Sequence, residues 1–297
     1  MNKLFIRTAI QLSGLILRHL HHFPGRHRIS TIALSWVRQF GAEMGIKTIR
    51  TRYGFLFNSH LDDWLGQYVY INGVYEPPTA NLFTLLIKPG ATVLDIGANA
   101  GFFSLLSSVL VGAEGKVYAF EPIPSVRNRL AVNINLNKFL NIEVIAKAAS
   151  DNNAFATINE GPEDHKGISS LRPLDNASQS ITIETMAIDT IATDIGKIDF
   201  VKIDIEGAEL LALTGMEKII KQDRPTLVIE FTDAYLQSFG HSATKMADWL
   251  TQYGYQLFII EDRGLIPLTQ THMETMQQYN VLACQALTPK LLNMIAT

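Results

Sequence analysis

Residues 91–121 constrain this chain more than any other stretch. An apolar run at 91–96, broken only by Thr92 and Asp95, enters the turn Asp95-Ile96-Gly97-Ala98-Asn99-Ala100-Gly101. The almost wholly apolar residues 102–111 follow as a helix, and a second apolar run, 116–121, ends on Glu121. A strand that reads as near-continuous apolar sequence is covered on both faces, which requires helices on both sides of the sheet. The rhythm continues. Residues 143–148, 200–204, 227–231, 256–260 and 279–284 read as strands, and 125–137, 208–221 and 243–253 as helices. Strands alternating with helices give a parallel sheet. The expected fold class is therefore α/β with a doubly wound, mostly parallel sheet.

The same stretch points to a ligand. Asp95 and Glu121 sit at the carboxyl ends of adjacent strands, beside the crevice where open α/β sheets bind ligands. Gly97 and Gly101 let the backbone approach a ligand closely, and the helix start offers unpaired N–H groups. An acid twenty residues beyond the turn suits the two hydroxyls of a ribose. A pyrophosphate cradle uses G-x-G-x-x-G, whereas this turn reads D-x-G-x-N-x-G. S-adenosylmethionine (SAM) carries no phosphate, and its ammonium suits Asp95. SAM is thus favoured over a dinucleotide, and both over a turn that merely reverses the chain.

With these residues in view, the chain resembles the FkbM-type family of SAM-dependent methyltransferases. The matching segments are Gly73-Val74-Tyr75-Glu76-Pro77, residues 93–101, Phe120-Glu121-Pro122, Ala148-Ala149-Ser150-Asp151, residues 198–209 with Lys202-Ile203-Asp204-Ile205-Glu206-Gly207-Ala208-Glu209, and residues 225–230 ending in Glu230. The resemblance covers roughly residues 70–232. It implies a class I, Rossmann-like sheet of seven strands with the last antiparallel, and O-methylation of a sugar, glycan or natural-product hydroxyl. For the cofactor, it and the residue pattern nominate Tyr75, Glu76, Asp95, Gly97, Asn99, Gly101, Glu121, Pro122, Ala148, Ala149 and Asp204. Lys147 or Asp151 would lie at the adenine edge.

Hydroxyl methylation calls for a general base or a Lewis-acid metal. Asp204, at the end of its strand, is the first choice for base or acceptor-orienting group, followed by Glu206 and Glu230. Glu209 reads as a helix-dipole partner and Lys202 as the partner of a neighbouring acid. His60 and His165 read as solvent-exposed, and Asp62 with Asp63 as a solvated pair near the entrance. Three acids in one cleft form the donor set of Mg²⁺, although no metal is expected. The place after the fourth strand holds Asp204-Ile205-Glu206-Gly207 rather than an Asn-Pro-Pro-Tyr-like motif, which favours an oxygen acceptor over an amine.

Residues 1–70 read as a helical extension with entry strands, and 71–297 as the methyltransferase domain. Near-alternating segments around 154–158 and 181–185 suggest a hairpin insertion at about 152–188, placed to form part of the acceptor pocket. Residues 1–42 carry six cations and no acid, within a chain of net charge −3 that does not suit a nucleic-acid binder. In the first helix Lys3, Arg7, Gln11, Gly14 and Arg18 share one face, while Leu4, Phe5, Ala9, Leu12, Leu15, Ile16 and Leu20 cover the other. The expected arrangement is packing on its own domain or on a second subunit. The basic face also suits peripheral contact of residues 1–28 with an anionic membrane. The histidines at 19, 21, 22 and 27 lack regular spacing and read as a solvated basic loop. A second helix is expected at 30–39. The longest uncharged stretch near the start, ten residues, is far shorter than a membrane span. The lone Cys284 excludes an internal disulfide and fits a cytoplasmic protein. Two other function classes stay open on sequence alone: a nicotinamide-dependent oxidoreductase and a SAM-binding module without catalysis.

Overall fold

The computed structural model describes residues 3–20, 23–160, 169–170, 179–275 and 278–295. His21, His22, His165 and most of the connection within the insertion lie outside them. The chain begins with helices α1 (Lys3–His19) and α2 (Arg26–Phe40), a hairpin of β1 (Ile46–Arg50) and β2 (Leu56–His60), and helices α3 (Trp64–Asn72) and α4 (Pro77–Leu86). The repeating part follows as β3 (Thr92–Ile96), α5 (Phe102–Val111), β4 (Lys116–Phe120), α6 (Pro124–Asn137) and β5 (Ile142–Ile145). Four short strands come next: β6 (Ala148–Ala149), β7 (Phe155–Glu160), β8 (Ser169–Ser170) and β9 (Gln179–Met186). The chain then runs through α7 (Ala192–Ile195), β10 (Phe200–Ile203), α8 (Glu209–Thr214), α9 (Glu217–Gln222), β11 (Thr226–Phe231), α10 (Asp233–Gln237) and α11 (Ala243–Gln252). It closes with β12 (Gln256–Glu261), β13 (Gly264–Pro267), α12 (Gln270–Thr275), β14 (Tyr279–Cys284) and α13 (Pro289–Leu292).

The main sheet has the order β13-β12-β14-β11-β10-β3-β4-β5. From β11 to β5 every pairing is parallel, and β14 runs antiparallel to both β11 and β12. This is the expected seven-stranded class I order. An eighth edge strand, β13, folds back on β12 as a hairpin; its four residues are too short for a period-two pattern to stand out. The strand order reverses between β3 and β10, so a crevice opens at the carboxyl ends of these two strands.

Alternation along the strands sends side chains to opposite faces. Val93, Val117, Ala119, Phe200 and Val228 belong to the apolar cluster shared with the N-terminal helices, α4 and α5. Leu94, Ile96, Tyr118, Phe120, Val201, Ile203, Leu227 and Ile229 belong to a second cluster with α8, α9 and α11. Asp95 and Lys202 interrupt the first set. They are cross-strand partners in the β3–β10 register, so both charges are buried at the crevice on the face that the N-terminal half covers. Cys284 is a free, buried core thiol.

Residues 143–148 do not form one strand. The chain leaves the main sheet after Ile145, and Ala148–Ala149 pair instead with Thr185 and Met186 of β9. β7 and β9 form the expected antiparallel hairpin, with Phe155 opposite Glu184 and Glu160 opposite Gln179.

The N-terminal extension shares the core of the main domain, and α1 packs on that domain through its glycine-bearing side. Ile6, Ile10, Leu17 and Gly14 face the protein. An added Cβ at Gly14 would lie 3.3 Å from the Tyr70 carbonyl oxygen, so glycine sets the close approach of α1 to α3. Arg18 donates to that carbonyl and lies over the Tyr70 ring at 5.2 Å, while Arg7 pairs with Glu43 at 2.9 Å. Two of the basic residues thus bind protein. Leu4, Phe5, Leu12, Leu15, Ile16 and Leu20 are 43–70% exposed. α2 starts four residues earlier than expected, at Arg26.

Candidate active site

A cavity of about 850 Å³ occupies the crevice, within the range of small-molecule sites. It gathers Tyr75, Glu76, Asp95, Gly97, Asn99, Glu121, Pro122, Ala148, Ala149, Asp204, Glu206 and Glu230, which is every nominated residue except Gly101. Of the five non-glycine residues with left-handed backbone among the described residues, Glu76 (φ 42°), Asn99 (φ 51°) and Glu206 (φ 56°) line it. Such outliers concentrate at functional sites because the surrounding structure must hold them.

The two glycines of the turn serve the protein's own packing. Gly97 has φ 84°, and a Cβ there would lie 1.9 Å from the Asp204 carbonyl oxygen. At Gly101, φ 95°, a Cβ would meet Leu130 Cδ1 at 2.4 Å. Close approach is why glycine stands at both places: the end of β10 abuts Gly97, and α6 abuts Gly101. The turn is braced by Glu121, whose two carboxylate oxygens accept the N–H groups of Asn99 (3.0 Å) and Ile123 (2.9 Å). Burial pushes this carboxyl up to about 7, although both backbone donors pull it down. Each oxygen keeps a second lone pair for a ribose hydroxyl.

Asp95 is 1% exposed. One carboxylate oxygen accepts from Ser104 on α5, and the other, Oδ1, has no hydrogen-bond partner among the described residues. Burial raises its pKa, opposed by the Lys202 charge and the Ser104 hydroxyl. Lys202 pairs with Asp204 at 2.8 Å and lies 4.9 Å from the Phe103 ring centroid. Burial works against its charge, but Asp204, Asp95 and Glu76 more than offset that and hold the ammonium above its ordinary value.

On the opposite wall, Glu76 accepts from Asn280 at 2.9 Å, and burial pushes its carboxyl up to about 7 against the pull of Lys202. Glu230, 6% exposed on β11, accepts from Gln278 through Oε1; its Oε2 has no partner among the described residues. Burial, then the carboxylates of Asp204, Glu206 and Glu209, raise Glu230 well above the usual carboxylate range. Glu209 does not line the cavity. Its Oε1 accepts the N–H groups of Ile205 and Gly207, both at 3.1 Å, and clamps the 204–207 loop. That is a more specific role than a dipole partner.

Asp63 departs from the sequence reading. It is buried, caps α3 by accepting the Gly66 N–H at 2.6 Å, and pairs with Arg129 at 2.5 Å; only Asp62 of that pair is exposed. His60 is part-buried and lies off the cavity, and burial together with Arg129 lowers its pKa. Lys147 lines the cavity beside the two alanines and pairs with Glu184, while Asp151 is exposed outside it. The insertion contributes Ile158. Sequence reasoning missed Arg38, Trp64, Phe102, Phe103 and Gln278. Arg38 lies over the Trp64 ring at 4.2 Å at the rim, and Phe102 and Phe103 stack edge-on against Tyr75 at 6.2 and 6.1 Å. Only the double phenylalanine opening α5 was a visible signal. Among the described residues, no group of three or more His, Cys, Asp or Glu is placed to hold a metal ion. No helix among them is long and apolar enough to cross a membrane.

Comparison with known proteins adds three kinds of finding. Residues 95–257 match the Methyltransferase FkbM domain. No curated protein matches the chain. Among solved structures, the FkbM methyltransferase of Methylobacillus flagellatus KT is 18% identical, with 87% of this chain and 60% of that one covered and a TM-score of 0.42. A SAM-dependent methyltransferase of Aquifex aeolicus is 20% identical over 69% of this chain and 88% of its own, at 0.39. Aeropyrum pernix fibrillarin with bound SAM is 13% identical over 80% and 93%, at 0.41.

Proposed function

The chain belongs to the FkbM family of SAM-dependent methyltransferases, and from that premise we propose that it transfers the methyl group to a hydroxyl of a sugar, glycan or natural-product acceptor. The cavity's residues fit the cofactor. Asp95 Oδ1, buried and without a partner among the described residues, suits the ammonium of the methionine part. Glu121, held rigid by two backbone donors, suits the ribose diol. Ala148, Ala149 and Ile123 give an apolar surface for adenine, and Tyr75 and Glu76 stand beside Asp204 for the methionine tail. When bound, SAM supplies an electrophilic methyl group on a sulfonium.

The observation that carries the choice of a hydroxyl is Glu230. A hydroxyl must lose its proton as it is methylated, and a base works best when its pKa lies near the operating pH. Glu230 combines a raised pKa with an oxygen, Oε2, that has no partner among the described residues. Gln278 fixes the other oxygen and so orients the carboxylate. Near a cationic sulfonium, Glu230 would ionise more readily than it does among carboxylates alone. Asp204, although first by strand position, is bound in an ion pair with Lys202. That pairing occupies one of its oxygens, so its role here is to orient the acceptor. Trp64 and Arg38 at the rim offer an aromatic face and a hydrogen-bond donor, which suits a sugar or another polyhydroxylated acceptor.

The test is transfer of label from methyl-labelled SAM to a panel of monosaccharides, nucleotide sugars, polyketide alcohols and matched amines. Label in an alkali-stable ether, with Glu230→Gln lowering kcat by about 10²–10⁴-fold and SAM affinity nearly unchanged, is the expected result. Label on amines alone, or an unaffected rate in Glu230→Gln, would overturn the reading.

A further inference from the structure

The outward face of α1 has no covering element among the described residues. Leu4, Leu15, Leu12, Phe5, Ile16 and Leu20 fall in that order around an arc of about 160° at the helical 100° per residue, and all six are at least 43% exposed. Scattered surface apolar residues are ordinary, whereas a continuous stripe of large ones marks an interaction site. On the neighbouring helix, Ile29 and Ile32 are exposed as well. The stripe is not what fixes the helix to the protein, because Ile6, Ile10, Leu17 and Gly14 do that from the opposite side. α1 is therefore held in place with its more apolar face free.

Charge decides what that face meets. Residues 1–42 contain Lys3, Arg7, Arg18, Arg26, Arg28 and Arg38 and no Asp or Glu; Arg7 pairs at the surface with Glu43, Arg18 is turned to Tyr70, and Arg28 on α2 is exposed. A second copy of the chain seated there would bring an equally cationic module against this one, and like charges facing each other oppose association. A negatively charged lipid surface provides the complement, and an apolar helical face with flanking cations is the form that lies in the headgroup layer. At 17 residues, α1 lies on such a surface rather than crossing it. We infer that this protein docks peripherally on anionic membranes through the Leu4–Leu20 face of α1, so that the enzyme works at a lipid surface. The inference stands on α1 and α2 and does not depend on the identity of the acceptor.

The experiment uses the full chain in sedimentation with large unilamellar vesicles, either pure phosphatidylcholine or phosphatidylcholine with phosphatidylglycerol. The expected result is binding to the anionic vesicles that weakens with added salt and falls at least tenfold in Leu12→Gln/Leu15→Gln/Ile16→Gln. Those side chains point outward, so thermal melting and SAM binding of the triple variant should match the parent and exclude misfolding. Sedimentation velocity without vesicles supplies the second readout. A concentration-dependent dimer that the triple variant abolishes would overturn the proposal in favour of self-association. Equal binding of parent and variant, or no binding to anionic vesicles, would overturn it outright.

Discussion

Replacing Asp95 by Asn separates what this residue does for the fold from what it does for the ligand. The carboxylate is buried; Oδ2 accepts from Ser104 and Oδ1 from no described residue. An amide in its place keeps an acceptor for Ser104 and removes a charge whose burial is unfavourable. The loss is the attraction to Lys202, which retains its 2.8 Å pair with Asp204. These contributions oppose one another, so unfolding free energy should change by no more than about 1 kcal/mol. Ligand affinity behaves differently. A hydrogen bond between an ammonium and a carboxylate contributes about 1.5–3 kcal/mol, so losing it weakens SAM binding by about 10- to 150-fold. Calorimetric titration with SAM at neutral pH, alongside thermal melting, measures both effects on the same samples. If Asp95→Asn melts like the parent and its Kd changes by less than roughly threefold, Asp95 does not hold the ammonium and the cofactor placement is wrong.

Three further outcomes follow from the geometry. Burial raises Glu209 from 4.5 to about 7, so the folded protein holds this proton more tightly than the unfolded chain. Its contribution to stability is fullest below pH 4.5 and is lost as pH rises to about 7, a change of about 3 kcal/mol. Glu209→Gln, which keeps the Oε1 acceptor of the loop clamp, should flatten the pH dependence of urea unfolding in that window; an unchanged slope would refute the assignment. Gly97→Ala combines a left-handed backbone with a 1.9 Å overlap on a carbonyl oxygen and should cost about 3 kcal/mol or more. Gly101→Ala, which meets the side-chain tips of Leu130 and Leu105 rather than backbone, should cost less, and a reversed order in thermal melting would contradict the packing account. Asp63→Ala removes the α3 cap and the partner of Arg129 and should cost about 2–3 kcal/mol in chemical denaturation, whereas a solvated acid would show almost no effect.

The sheet was legible because its strands are buried on both faces, so apolar runs alone placed β3, β4, β10, β11, β12 and β14. Asp95, Glu121, Asp204 and Glu230 were legible for a related reason: each is an acid at or near the end of such a run. Orientation was not legible. In α1 the periodicity identified two faces but not which one meets the protein, because Gly14 and the aromatic Tyr70, which let the polar side approach closely, lie 56 residues apart in the chain. The role of Asp63 depended on Arg129, 66 residues away, as well as on the Gly66 N–H, and that of Glu209 on the backbone N–H groups of Ile205 and Gly207 that precede it. Gln278 and Arg38 reach the cavity from distant segments, so only the folded chain brings them to Glu230 and Trp64. The ranking of bases changed for the same reason. Strand position nominated Asp204, but Asp204 is ion-paired with Lys202, whereas Glu230 Oε2 has no partner among the described residues.

A crystal structure of the full chain with S-adenosylhomocysteine tests the central claim most directly. The account predicts the ammonium on Asp95 Oδ1 and the ribose hydroxyls on Glu121, each at about 2.7–3.2 Å, with the sulfur facing the Glu230 side of the cavity. A ligand bound with its adenine at Asp95, or seated outside this cavity, would contradict it.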